Sequence, residues 1–353
     1  MLKNKFFLTS SAIAIVVSLI HILFCVDVYD DISNFYGPIA AAFGRSEWAV
    51  GLCPQVPILN STLAGLLVKC GMHPFSALVT VSSVFYILGI PLVYLMAKVF
   101  LKRTDFAAMT CLLYVVAPKI IRFSCTGLLN SSRNTFALAG VVLLLYFRIK
   151  PAWWKSLALG AVTACLALAR GEAIAFAPLF GLWLGFLVLE KYKFKFQRKF
   201  FLELTLHWAL LVGVFLLCAM PRMIQSYNDK EIGYPVLDVR QAYFLDRLIG
   251  HKVDRYPNRI IVNLPGVRHH APLPPVRKLY DGLDCFVNGA YIPYLLLAVL
   301  GVVVMIRRKE LARTESMLLL LVMLINFAVF VMIANSLRYY TINLLMLLPF
   351  TFA

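Results

Sequence analysis

Long apolar runs recur along this sequence, and every second break between them carries a cluster of lysine and arginine. A helix needs about 20 apolar residues to cross a hydrocarbon core ~30 Å thick. Runs of this kind lie near Phe6–Val26, Pro74–Phe100, Phe106–Ile121, Thr135–Phe147, Ser156–Ala169, Ala173–Leu189, Phe201–Met220, Tyr291–Ile306 and Ser316–Ala334. Of the 353 residues, 61% are apolar and 14% charged, whereas a soluble domain runs at ~45–50% and ~25%. Such a chain has too little polar surface to stay in water, and it is far too apolar to be disordered. The pattern predicts an all-α, polytopic transmembrane helix bundle.

The formal net charge of +17 raises the question of nucleic acid, but the charges punctuate the apolar runs instead of covering a soluble face. They fall at Lys98/Lys102/Arg103, Arg148/Lys150/Lys155, Lys191/Lys193/Lys195/Arg198/Lys199 and Arg307/Arg308/Lys309/Arg313. That is the signature of short loops held on the cytoplasmic side. No nucleic-acid partner is expected; membrane lipids are. Eight cysteines are too dilute for a disulfide scaffold, and no CxxC pair suggests a zinc site. Cys53, Cys70, Cys125 and Cys285 fall in segments expected outside, where a disulfide is allowed but its connectivity is not fixed.

The two short runs on either side of Arg170-Gly171-Glu172 need an argument. One helix from Lys155 to Leu189 would be about 52 Å long, too long for one crossing. It would also place the Lys191–Lys199 cluster opposite Lys155, against the charge rule. Two helices meeting at Arg170-Gly171-Glu172 satisfy both constraints. The N-terminus is then cytoplasmic, and the first run, followed directly by Asp27, reads as a retained anchor and not a cleaved signal peptide. The chain is expected in the cell membrane as one membrane domain over residues 1–353. An outer loop covers about 27–73 and a longer one about 222–290. The last stretch, Thr341–Ala353, is apolar but too short to span, so it is expected to be a half-helix or, preferably, the cut end of a longer protein.

With this topology the informative polar residues collect on the extracytoplasmic side, where the chemistry is expected. Asp27, Asp30 and Asp31 follow the first span, Arg133 the third, Arg170 and Glu172 stand at the hairpin tip, and Arg338 follows the last span. In the first outer loop, Ile32, Phe35, Tyr36, Ile39, Ala40 and Phe43 share one helical face, with Pro38 expected to bend or interrupt it. Pro57–Lys69 reads as a second helix, and both are expected to lie in the membrane interface. In the long loop, Gln241–Ile249 suggests a short helix. His269-His270 lacks metal-ligand spacing and reads as solvated loop.

The run Val28-Tyr29-Asp30-Asp31, then Phe35-Tyr36, Ala40-Ala41-Ala42, Gly44 and Trp48, resembles the first outer loop of the C-type membrane glycosyltransferases. It is most similar to the branch of protein O-mannosyltransferases and lipid A aminoarabinose transferases. Pro54, Pro57 and Lys98 follow in that family's order. The resemblance implies a polyprenyl-phosphate sugar donor and inverting transfer to a hydroxyl on a glycan, lipid or protein. It also implies an acidic residue of this loop as base. Asp31 and Asp30 stand at that position, with Asp31 slightly favoured; the alternative reading is an Asp pair capping the next helix.

Arg170 is the first candidate for the donor phosphate, because a guanidinium offers phosphate oxygens a planar fork of donors. Arg133 and Arg338 are alternatives, although Arg338-Tyr339-Tyr340 also suits an interfacial anchor. Glu172 is expected to orient Arg170 or to contact the acceptor; the plainer reading is an ion pair within a turn. No metal is required, although Asp30 and Asp31 together would suit a divalent ion. No GxSxG, P-loop, GxGxxG or HExxH is present, so a cytosolic sugar nucleotide is not the expected donor. Rival readings are a transporter or lipid flippase, which calls for a midplane site, and a non-catalytic subunit of an envelope complex.

Overall fold

The structure, a computed structural model, describes residues 4–24, 31, 35–48, 52, 57–228, 275–333 and 337–353. Among these residues it is helical with no strand. Asp27, Asp30, Cys53, Gln241–Ile249 and His269-His270 lie outside them.

The helices are α1 (Lys5–Phe24), α2 (Gly37–Gly44), α3 (Leu59–Lys69), α4 (Pro74–Leu101), α5 (Thr104–Val116), α6 (Pro118–Ser124), α7 (Asn130–Ile149) and α8 (Trp153–Ala169). They continue with α9 (Phe176–Lys191), α10 (Arg198–Asn228), α11 (Pro275–Ala290), α12 (Ile292–Arg307), α13 (Thr314–Ile333) and α14 (Thr341–Leu347). Short 3-10 turns cover Gly171–Ala175, Leu337–Tyr340 and Leu348–Phe352. Six helical stretches among the described residues are long and apolar enough to cross a membrane, or up to eight if each bent pair counts as one span. The chain is therefore an all-α, multi-pass membrane bundle.

Local sequence explains the breaks. α5 and α6 meet at 61° because Pro118 lacks an N–H and forces Ala117 into extended backbone (φ −67°, ψ 113°). Arg170 ends α8 in extended backbone (φ −156°, ψ 129°), and the 3-10 turn then reverses the chain into α9. Before Pro38 the helix changes type, with a π turn at Phe35-Tyr36 and α-helix from Gly37. Pro38 occupies the first turn of α2, where its missing N–H is not needed. Pro221 sits inside α10, which runs on to Asn228, past the end its apolar run predicts at Met220.

Polar contacts sort the bundle into two ends. At the basic end, the Asn4 side chain donates to Asp105 at 3.2 Å, joining the start of α1 to that of α5. Arg148 forks onto Glu190 at 3.0 and 2.8 Å and reaches Glu315 at 2.7 Å, tying the end of α7 to the end of α9 and the start of α13. Arg313 donates to the Phe100 carbonyl at 3.1 Å. Lys155 donates to the Tyr146 and Lys150 carbonyls at 2.7 and 2.6 Å, satisfying the end of α7. The basic clusters predicted to share one side do share one end of the bundle.

The last stretch is a short helix followed by a 3-10 turn. Residues 341–350 are buried among the other helices. Tyr339 and Tyr340 lie at the far end, while Phe350 and Phe352 reach the aromatic rings of Phe100 and Phe106 at the basic end, 4.9 and 5.9 Å between centroids. Bilayer thickness sets the length of lipid-facing helices, and a segment enclosed by protein escapes that rule. Its 3-10 portion also rises about 2.0 Å per residue, which lengthens its reach. α12 packs directly on it, with Gly301 against the Phe350 carbonyl, so that a methyl group there would overlap backbone.

Gly301→Ala should therefore lower stability by about 1–3 kcal/mol. Gly181→Ala, in a helix with open space around its Cα, should leave it unchanged. Thermal melting of the two detergent-solubilised variants compares them, and equal melting temperatures would contradict the packing.

Candidate functional site

The end opposite the basic clusters gathers the remaining charged residues inside the bundle. Its framework is the segment that follows α1 and the starts of α7 and α9. Ser61 of α3 donates to the Tyr36 carbonyl at 3.3 Å, and Asn60 donates to the Leu128 carbonyl at 3.4 Å, so α2 and α3 are pinned to the chain just before α7. Arg222, buried near the end of α10, donates to the Leu52 carbonyl of the same segment.

α7 opens with Asn130-Ser131-Ser132-Arg133-Asn134-Thr135, six polar residues that are all buried. Arg133 donates to the Tyr339 carbonyl at 2.9 Å and to the Thr341 hydroxyl at 3.3 Å. Asn134 donates to the same hydroxyl at 3.0 Å. Asn326 of α13 donates to the Tyr339 carbonyl at 3.2 Å and to Asn343 at 2.6 Å. These bonds hold the 3-10 turn Leu337–Tyr340 between α7 and α13.

The Tyr339 ring is the centre of the cluster. One side stacks on Phe330, 4.6 Å between centroids and 20° between planes. The Arg170 guanidinium lies 4.5 Å from the ring centre, and that of Arg338 lies 5.2 Å from it. Both separations are within cation–π range. Arg338 also donates to the Tyr339 hydroxyl at 3.2 Å and to the Asp31 carboxylate at 2.8 Å. Burial opposes the charge on Arg338, but Tyr339 and Asp31 favour it and prevail, holding the guanidinium protonated above its ordinary range. Arg133 stands over Phe330 at 5.3 Å.

At the hairpin tip, Arg170 forks onto Glu172 at 3.3 and 3.1 Å, with the two side chains 5% and 3% exposed. Tyr36 is near enough to Arg170 to act on its charge. This depth separates the pair from an ordinary surface turn. A buried ion pair replaces water on both partners, and loss of one partner leaves the other charge uncompensated.

Arg133, Arg170, Arg338, Glu172 and Asp31 are thus linked through one tyrosine; Asp30 lies outside the described residues. Among the described residues the cluster sets three guanidiniums against two carboxylates. Arg133 Nε and Nη1 and Arg338 Nε are buried without a hydrogen-bond partner. A positive, partly unfilled donor array of this kind suits an anion with several oxygen atoms. For metal ions, no group of three or more His, Cys, Asp or Glu gathers among the described residues. Of the cysteines expected outside, Cys70, Cys125 and Cys285 are among the described residues and are free thiols.

Tyr339, Phe330, Asn134 and Thr341 complete the site although charge alone does not single them out. The signal for one of them, Asn134, is the polar run Asn130–Thr135 at the mouth of an apolar span. Isolated Asn326 and Asn343 inside apolar runs carry a similar signal, since an amide within a membrane span needs a partner.

No family model matches the chain, and no curated protein matches it by sequence. Among solved structures, the oligosaccharyltransferase of Archaeoglobus fulgidus, in its apo form, is similar in fold with a TM-score of 0.50 at 12% identity. The match covers 99% of this chain and 50% of that one, so the chain spans half the length of its structural neighbour.

Glu172→Gln should destabilise the fold by about 3–5 kcal/mol, since it leaves Arg170 buried without its carboxylate. Glu190→Gln, at the more exposed pair of the basic end, should cost about 1 kcal/mol or less. Thermal melting of the two variants side by side measures the difference, and equal losses would remove the case for a specially buried pair. The chain shares its fold with part of that oligosaccharyltransferase.

Proposed function

We propose that this protein is a membrane glycosyltransferase that moves a sugar from a polyprenyl-phosphate donor to an extracytoplasmic acceptor hydroxyl, with inversion. The observation that carries the reading is the Arg133, Arg170 and Arg338 cluster around Tyr339, one carboxylate short of neutrality among the described residues. The fold shared with an oligosaccharyltransferase, and the first-loop resemblance to the O-mannosyltransferase and aminoarabinose transferase branch, support the same class. A transporter calls for a substrate site near the midplane, whereas these charges gather at one end of the bundle.

In the reaction, the acceptor oxygen attacks the anomeric carbon as the bond from that carbon to the phosphate oxygen breaks. The bonding electron pair leaves on the lipid phosphate, and the acceptor proton passes to a carboxylate of the first outer loop. Asp31 is our choice for that base, with Asp30 the alternative. Arg170, Arg338 and Arg133 receive the charge that grows on the departing phosphate, the moment at which fixed donors contribute most. A phosphate arriving at Arg338 competes with Asp31 for that guanidinium, and the freed carboxylate then faces the acceptor. Glu172 holds Arg170 in place for the donor.

The purified protein, incubated with radiolabelled polyprenyl-phosphate sugars, should yield a transfer product with at least one of them. Asp31→Asn should abolish transfer while expression and insertion persist; an active Asp31→Asn beside an inactive Asp30→Asn moves the base to Asp30. Arg170→Lys should reduce donor use tenfold or more, because a point charge cannot reproduce the fork. The scheme needs no metal, so a chelator should leave the rate unchanged. Wild-type rates in the Asp30/Asp31 double variant would end the catalytic assignment.

Sidedness has its own test. Gly171 is buried, so a cysteine there is a poor probe, but exposed Cys70 stands at the same end as Asp31. In a background without the other cysteines, Cys70 should react with an impermeant thiol reagent on intact cells. Lys195→Cys should react only after permeabilisation. The reverse pattern would invert the topology.

A further inference from the structure

The geometry points to a binding site for anionic phospholipid headgroups on the turn between α9 and α10, at the end of the bundle opposite the arginine cluster. Lys193, Lys195, Arg198 and Lys199 are exposed there, and none has an ion-pair partner among the described residues. Lys191, the fifth cation of the run, is already held by Glu203 at 2.6 Å. The exposed cations alternate with exposed phenylalanines: Phe194, Phe196 and Phe201 are 57%, 70% and 53% accessible.

This turn has a defined shape. Lys193 and Phe194 both adopt left-handed backbone, φ 51° and 61°. The turn is closed by N–H bonds from Lys193 to the Glu190 carbonyl at 2.9 Å, from Phe194 to Leu189 at 3.0 Å and from Lys195 to Tyr192 at 3.0 Å. Phe196 rests against buried Phe200, 5.7 Å between centroids, and Phe194 against Phe186 at 6.0 Å. Large side chains held outward at this level face either water or lipid. Rings between cations match the boundary where acyl chains meet phosphates.

The neighbouring turn adds to the same surface. Arg148 at the end of α7 is bonded to Glu190 at the end of α9. Ile149, Trp153 and Trp154 therefore sit at this level, and all three are exposed. Arg198 and Lys199 occupy the first turn of α10, which holds no acidic residue. Positive side chains there add to the positive end of the helix and are best met by an outside anion. An anionic bilayer surface favours each nearby basic residue about fivefold in partitioning, so four of them acting together should give a preference well above tenfold.

The test uses the full chain in detergent, titrated with phosphatidylglycerol or phosphatidylcholine and read by native mass spectrometry of retained lipid. Wild-type protein should retain phosphatidylglycerol at least tenfold better than phosphatidylcholine, and the preference should fall in high salt. The variant Lys193→Gln/Lys195→Gln/Arg198→Gln/Lys199→Gln should lose it, while the matching Lys-to-Arg changes at 193, 195 and 199 should keep it. Phe194→Ser/Phe196→Ser should shorten lipid retention with the charge intact. Melting temperatures without lipid should agree for all variants. Should the Gln variant misfold, the charge-preserving Phe pair decides alone. Equal retention of the two lipids, unchanged retention in the Gln variant or in the Phe pair, or tight binding of RNA that phosphatidylglycerol fails to displace would each overturn the assignment. Sugar transfer plays no part in any of these readouts.

Discussion

Everything at the site end depends on how an apolar bundle accommodates Arg133. Its side chain is fully buried, and no carboxylate bonds it among the described residues. A bare buried charge of that kind costs several kcal/mol unless hydrogen bonds and nearby π-faces compensate. The compensation comes from the Tyr339 carbonyl, the Thr341 hydroxyl, the Asn134 side chain and the Phe330 ring. Meeting that need draws α7, α13 and the last stretch of chain together. It also fixes the Tyr339 ring, against which Arg170 and Arg338 lie. The site is assembled from parts far apart in sequence because one buried cation requires partners from several of them.

The bundle itself was legible in one dimension, for physical reasons. Membrane spans must be apolar over nearly their whole length, so each run from Pro74 to Ile333 announces itself, and the basic clusters mark one end. Bilayer thickness made the α8–α9 hairpin a matter of arithmetic. The same rule does not reach the stretch after Thr341, because it holds only where a segment faces lipid, and this one is enclosed by protein.

The candidate site was legible one residue at a time. Arg170, Glu172, Arg133 and Arg338 stand out because charge near a membrane span carries a cost that calls for a reason. Their gathering on one side follows from the topology, but their contacts do not, since the Arg338–Asp31 pair joins positions 307 residues apart and no local pattern announces it. Tyr339 was hidden for another reason. A tyrosine beside an arginine at the end of a span is the ordinary composition of a membrane interface, so its sequence context matched the bland reading. Only the packing separates an interfacial anchor from a ring with Phe330 on one side and two guanidiniums around it.

The two ends of the molecule use positive charge in opposite ways. At the basic end, Arg148, Arg313 and Lys191 are neutralised by Glu190, Glu310, Glu315 and Glu203, and four further cations are exposed at the α9–α10 turn. That arrangement ties helix ends together and leaves its surplus where an external anion meets it at the surface. At the other end the surplus lies inside. Arg133 and Arg338 retain unbonded donor atoms that no solvent reaches. An exposed surplus tolerates any counter-ion and is weakened by salt, because water already solvates it. A buried surplus rewards a ligand that fits its fixed donors, because desolvation is complete before the ligand arrives. A lipid surface suits the first condition, and a single phosphate held at a defined position suits the second.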